Sequence, residues 1–171
     1  MSHVETPWTR LASRTLRGLL IRKGATYSSV AEHLRDCGID ETTRSVEGKA
    51  TRGTYSLAFF LNVLNALNAE HPPHWGRAIG RGADAQRCAT HILLLELKRC
   101  GIDLAMLSRQ LTKVGLSATP ESLVALVETG TFPFTLLLQI ASANRLNGLE
   151  RYVDQCDIIA AAAESKRSDF G

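Results

Sequence analysis

The sequence predicts an all-α chain: two tandem four-helix units of helix-turn-helix pattern, followed by one extra C-terminal helix. Three observations predict this. Apolar residues recur at spacings of three and four, as at Leu16, Leu19 and Leu20, and no stretch shows the alternation of a half-buried strand. Each periodic segment ends at a helix stop such as Gly24, Gly38 or Gly53. The whole pattern then returns 77 residues later, matching Gly24 to Gly101 and running without a gap to Ala66 and Ala143.

Identical pairs in that register include Leu34/Leu111, Gly38/Gly115, Thr42/Thr119, Ser45/Ser122, Gly53/Gly130 and Leu61/Leu138. Apolar faces apolar at Val30/Leu107, Val46/Leu123, Tyr55/Phe132, Phe60/Leu137 and Val63/Ile140. A shared register of glycines and apolar positions marks one supersecondary unit used twice.

The first unit is expected over residues 7–69. Thr6 caps a helix that starts at Pro7, where a missing N–H costs nothing, and runs to about Lys23. A second helix, "YSSVAEHLRDC", buries Val30, Ala31 and Leu34. A third starts near Thr42 and ends before Gly53, and the apolar fourth, "SLAFFLNVLNALNA", is central to the core. Residues 70–83, rich in proline and glycine, read as a linker. The second, degenerate unit spans 84–167 and repeats the order, with Thr119 capping and Pro120 opening its third helix. Its extra helix is "GLERYVDQCDIIAAAAESKR", with a stripe of Leu149, Tyr152, Val153, Cys156, Ile159 and Ala160. That stripe covers the second unit or forms a homodimer interface.

The 171 residues are 44% hydrophobic and 22% charged, with a net charge of +3, an ordinary globular balance that permits nucleic-acid binding without demanding it. No apolar run reaches the roughly eighteen residues of a membrane span. The start lacks a secretory signal and the tail lacks a lipidation signature, so a cytoplasmic location is expected. The four cysteines form no C-x-x-C pair and read as reduced, mostly buried hydrophobes.

Helices two and three are short and joined by a tight turn at "CGIDE", a helix-turn-helix pattern that places its second helix in the major groove. The run "SSVAEHL…GI…TTRSVEGKATRGTYSLAFFLNVLNAL" resembles the lambda-repressor-like helix-turn-helix superfamily. More narrowly, "WTRLA" at Trp8 to Ala12, "RKG" at Arg22 to Gly24, "GIDET" and "RGTYSLAFFL" resemble a bacterial family of small domains without established activity, found singly or in tandem. The resemblance covers residues 8–67 well and 89–144 loosely, and implies double-stranded DNA as partner. The turn between helices two and three is longer than in standard repressors.

Helix three of the first unit breaks two local rules. Arg44 at its second position opposes the helix dipole at a cost of about 0.3–1 kcal/mol. Gly48 in its interior costs about 1 kcal/mol relative to alanine. The second unit places Glu121 and Ala125 there, each the structurally favourable choice. Broken local rules point to function. Arginine chelates guanine, and a glycine lets a helix approach another surface. The window 41–53 carries three basic residues against two acidic ones, whereas 118–130 carries only Glu121 and Glu128. The DNA-contacting set is therefore Thr42, Thr43, Arg44, Ser45, Lys49 and Arg52, with Ser28 and Ser29 on helix two. Arg14, Arg17, Arg22 and Lys23 are read as a phosphate-facing stripe on helix one. The second unit serves docking or dimerisation.

His71 and His74 lie close together in "HPPHW", but nothing nearby completes a metal site, and a flexible linker is expected. No G-x-S-x-G, H-E-x-x-H or P-loop occurs. Cys37 and Cys100 sit at helix C-termini, where the dipole raises a thiol's pKa. No catalytic set, cofactor or metal is expected, and the chain reads as a non-enzyme. The alternative to a DNA-binding regulator is a protein-interaction module, such as an anti-activator, antitoxin or adaptor, with a partner-facing patch among Phe132, Phe134 and Leu136 to Leu138.

Overall fold

In the computed structural model, which describes residues 4–79 and 84–168, each repeat forms four α-helices in the expected order. The first repeat is α1 (Pro7–Arg22), α2 (Tyr27–Asp36), α3 (Thr43–Arg52) and α4 (Leu57–Ala66). The second is α5 (Ala85–Cys100), α6 (Leu104–Lys113), α7 (Pro120–Thr129) and α8 (Phe134–Ala143), followed by α9 (Gln155–Ser168). Side-chain caps start most of them: Thr6, Thr26, Thr42, Ser56, Asp84, Asp103 and Thr119 each accept from an amide of the first turn. No helix among the described residues is long and apolar enough to cross a membrane.

The repeats pack together by exchanging faces. α1 lies on α3 of its own repeat and on α8 of the other, and α5 likewise lies on α7 and on α4. At the centre, the amide of Leu57 donates to the carbonyl of Phe132 (3.2 Å) and the amide of Phe134 donates to the carbonyl of Tyr55 (3.0 Å). These four residues are equivalent in pairs across the 77-residue register, so the contact is a pseudo-two-fold within one chain. Tyr55, Phe60 and Phe134 stack about it, with ring centroids 4.6–6.1 Å apart. Phe132, Phe134 and Leu136 to Leu138, expected as a patch for a partner, are buried in this core. Their partner is the first repeat.

Gly53 and Gly130 show why the register preserves glycines. Both adopt φ of +64° at a helix end, and a Cβ there would lie 1.9 Å from the carbonyl oxygen of Thr9 and 2.0 Å from that of Gln86. Thr9 and Gln86 are themselves equivalent, so each helix three is stopped against its own helix one by the same backbone contact.

Three expectations need correction. The "HPPHW" segment is built into the fold: Pro73–Arg77 form a short 3-10 helix and Trp75 is buried. Trp75 Nε1 donates to Glu96 Oε1 (2.6 Å), which His74 Nε2 also approaches at 2.6 Å. Composition hid this, because one tryptophan outweighs the prolines around it. Residues 80–83 of the expected linker lie outside the described residues. Second, the C-terminal helix starts at Gln155, after a separate 3-10 turn at Leu149–Arg151. This break rotates the stripe: Ile158, Ala161 and Ala162 face inward, while Cys156, Ile159 and Ala160 are exposed. α9 packs on both α1 and α8, spanning the two repeats. Third, only Cys88 is fully buried among the cysteines, and Cys37 and Cys156 are exposed.

Candidate nucleic-acid interface

The outward face of α3 follows from its inward one. Val46 and Ala50, one turn apart, are buried, which turns Arg44, Glu47, Thr51 and Arg52 to solvent. Thr42 caps the helix by accepting from the amide of Ser45 (3.1 Å). Thr43 and Arg44 are exposed beyond it, and Arg44 makes no hydrogen bond or ion pair among the described residues.

Two of the expected contact residues are held inside the repeat. The nearly buried carboxylate of Glu41 accepts from Ser45 Oγ (2.6 Å) and pairs with Lys49 Nζ. The same ammonium sits 4.7 Å from the centroid of the Phe59 ring. Lys49 therefore locks the turn before α3 onto the helix rather than standing free. On α2, Ser28 is exposed, but Ser29 closes a capping box with Thr26: each backbone N–H donates to the other's hydroxyl.

Gly48 makes room for a side chain of its own helix. A Cβ there would lie 2.9 Å from Nη1 of Arg52, so the guanidinium folds back over the glycine. A shallow groove of about 600 Å³ runs along this face, lined by Thr42, Arg44, Ser45, Glu47, Gly48, Thr51 and Arg52.

Thr51 and Arg52 also line a second groove, of about 570 Å³, between α1, α3 and α9. Arg10, Arg14 and Arg17 enter it from α1, at the spacing that aligns residues on one helix face. Arg10 pairs with Glu164 of α9 and lies 3.7 Å from Glu5. Arg14 and Arg17 make no ion pair among the described residues. The stripe is thus Arg14 and Arg17, continuous with Arg52 and Arg44. Arg22 and Lys23 leave it: Arg22 donates to the carbonyl of Arg151 (2.7 Å) and Lys23 to that of Asn68 (3.2 Å). The spacing of Arg10, Arg14 and Arg17 was readable in sequence; the role of Glu164 was not, since it lies 154 residues away.

The second repeat lacks this surface. At the positions of Arg14, Arg17, Arg44, Lys49 and Arg52 it carries His91, Leu94, Glu121, Leu126 and Thr129, and Ala118 stands where Glu41 makes its clamp. No group of three or more histidine, cysteine, aspartate or glutamate side chains able to hold a metal occurs among the described residues. Burial and the nearby Glu96 raise the pKa of Cys100.

Comparison with curated proteins and with solved structures finds no match. A family described as a domain of unknown function (DUF6471) matches residues 8–72 and again residues 85–149. The chain belongs to that family, as a tandem pair of its domain.

Proposed function

We propose that the chain is a DNA-binding regulator, acting on transcription or on a mobile element. In this reading α2 and α3 work as a helix-turn-helix and the first repeat reads double-stranded DNA. The observation that carries it is the row of exposed arginines, Arg44 and Arg52 on α3 with Arg14 and Arg17 on α1, present in one repeat and replaced in the other. Arg44 and Thr43, at the start of α3, are the base-reading candidates, while Arg14, Arg17 and Arg52 suit phosphates. Thr42, Ser45 and Lys49 hold α3 in place, and Ser28 extends the hydroxyl surface on α2. The acidic α7 would be repelled by DNA, so a second half-site, about 34 Å away, requires a second chain. Binding of duplex tiles over a salt series tests this: Arg44→Ala should lower affinity and flatten base preference, and Arg14→Ala should weaken all sequences alike.

A second reading is favoured by a specific observation. Leu94, Met106, Val124 and Leu126 are large apolar residues exposed on the second repeat at 46%, 38%, 39% and 37%. That suits an interaction module, an anti-activator, antitoxin or adaptor, without a DNA role. Recovery of one stoichiometric protein partner, with no DNA retained at low salt, would select it.

A further inference from the structure

α3 and α7 are equivalent helices of opposite character. Val46 and Ala50 on one, and Leu123 and Val127 on the other, are buried, so the outward faces correspond position for position. α3 presents Arg44, Gly48 and Arg52 along a groove whose floor is the glycine. α7 presents Glu121, Ala125 and Glu128 as a ridge, flanked by Val124 and Leu126. Those flanking residues are 39% and 37% exposed where α3 carries Glu47 and Lys49. The core beneath α7 is filled by Leu123 and Val127 without them. The molecule therefore carries a basic groove and an acidic, partly apolar ridge of matching length.

We propose that α7 of one chain docks antiparallel on α3 of a second copy of the chain. Glu128 of the second copy then faces Arg44, Glu121 faces Arg52, and Ala125 lies over Gly48. The spacings agree: at about 1.5 Å per residue, Arg44 to Arg52 spans roughly 12 Å and Glu121 to Glu128 roughly 10.5 Å. Arg52, which now lies over Gly48, swings outward to reach its carboxylate and clears the groove for Ala125. Gly48 and Arg44, both costly to the isolated helix, gain a common purpose: the notch and the charge that recognise α7. Two reciprocal contacts close a dimer, whereas one contact per pair leaves free ends that continue head to tail. The ion pairs are at the surface and screened by salt, so the association is weak and salt-sensitive. The proposal does not rest on DNA binding, although the same α3 face cannot serve both partners at once.

Sedimentation equilibrium of the full chain across a dilution series, at low and high salt, tests it. The wild type should self-associate, and salt should weaken the association. Arg44→Glu with Arg52→Glu, or Glu121→Arg with Glu128→Arg, should each weaken it by about tenfold or more, through like charges facing each other. Mixing the two reversed proteins should restore the heavier species, because each then offers what the other lacks. All four sites are exposed; thermal melts check the fold, and Arg44→Gln with Arg52→Gln is the milder substitute. A wild type that stays monomeric throughout, reversals that leave the mass unchanged, or a mixture no heavier than its components would overturn the proposal.

Discussion

Ser56 and Pro133, equivalent residues of the two repeats, face each other in an antiparallel bridge where the repeats meet. Around them the amides of Leu57 and Phe134 donate to the carbonyls of Phe132 and Tyr55, one bond in each direction. A duplicated unit has thus formed with itself, inside one chain, the isologous contact that separate protomers make in a dimer.

The residues flanking the bridge, Tyr55, Leu57, Phe132 and Phe134, are buried in a shared core, so the repeats should unfold together. Phe134→Ala removes a ring packed against both Tyr55 and Phe60 of the other repeat. It should cost about 3–5 kcal/mol and lower a single thermal transition monitored by circular dichroism. Two separated transitions, with the first repeat unaffected, would contradict the shared core.

Two glycines on or beside α3 should respond oppositely to alanine. Gly53→Ala forces a Cβ into the Thr9 carbonyl at positive φ, so it should cost more than about 1 kcal/mol, and Gly130→Ala should behave alike. Gly48→Ala meets only the movable end of Arg52 and gains helix propensity, raising stability by up to about 1 kcal/mol. Urea titrations of the three variants measure both signs.

The segment joining the repeats is held by one buried carboxylate. Glu96→Leu leaves the buried Trp75 Nε1 without its acceptor, a cost of about 1–3 kcal/mol, and frees the half-buried His74. Glu96→Gln keeps an oxygen and should cost less. A red shift of tryptophan emission in the leucine variant, before global unfolding, would report release of the strap.

Alkaline pH should destabilise the fold through its tyrosines. Burial raises the pKa of Tyr55 well above the usual value, and burial also raises that of Tyr152. Unfolding lets each phenol ionise at its ordinary value near 10, while the folded protein holds the proton. Stability is therefore level below that pH and falls as pH rises through it, by about 1.4 kcal/mol per unit for each tyrosine. Tyr55→Phe loses the bond to the Ala12 carbonyl (2.6 Å) and is weaker at neutral pH, but its alkaline slope should be shallower.

Much of this architecture was legible from residue order. The caps at Thr6, Thr42 and Thr119 and the stops at Gly53 and Gly130 are local chemistry. The 77-residue register carried the rest of the helix order. What remained hidden depends on residues far apart. Glu41 clamps Lys49 only because the turn before α3 folds back. The buried indole N–H of Trp75 is satisfied only because α5 brings Glu96 to it. The groove on α1 exists only because α9 crosses both repeats. Arg44 was visible as a misfit and stays exposed, whereas Gly48, equally visible, accommodates Arg52 of its own helix.

The most direct test of DNA reading by the first repeat is fluorescence anisotropy of the full chain with duplex DNA over a salt series, comparing wild type, Arg44→Ala and the Arg14→Ala, Arg17→Ala pair. One duplex should be bound far more tightly than random DNA. Arg44→Ala should erase that preference, and the α1 pair should lower all affinities and reduce the salt slope by about two. Weak, equal binding to every duplex, lost near physiological salt and indifferent to Arg44, would contradict it.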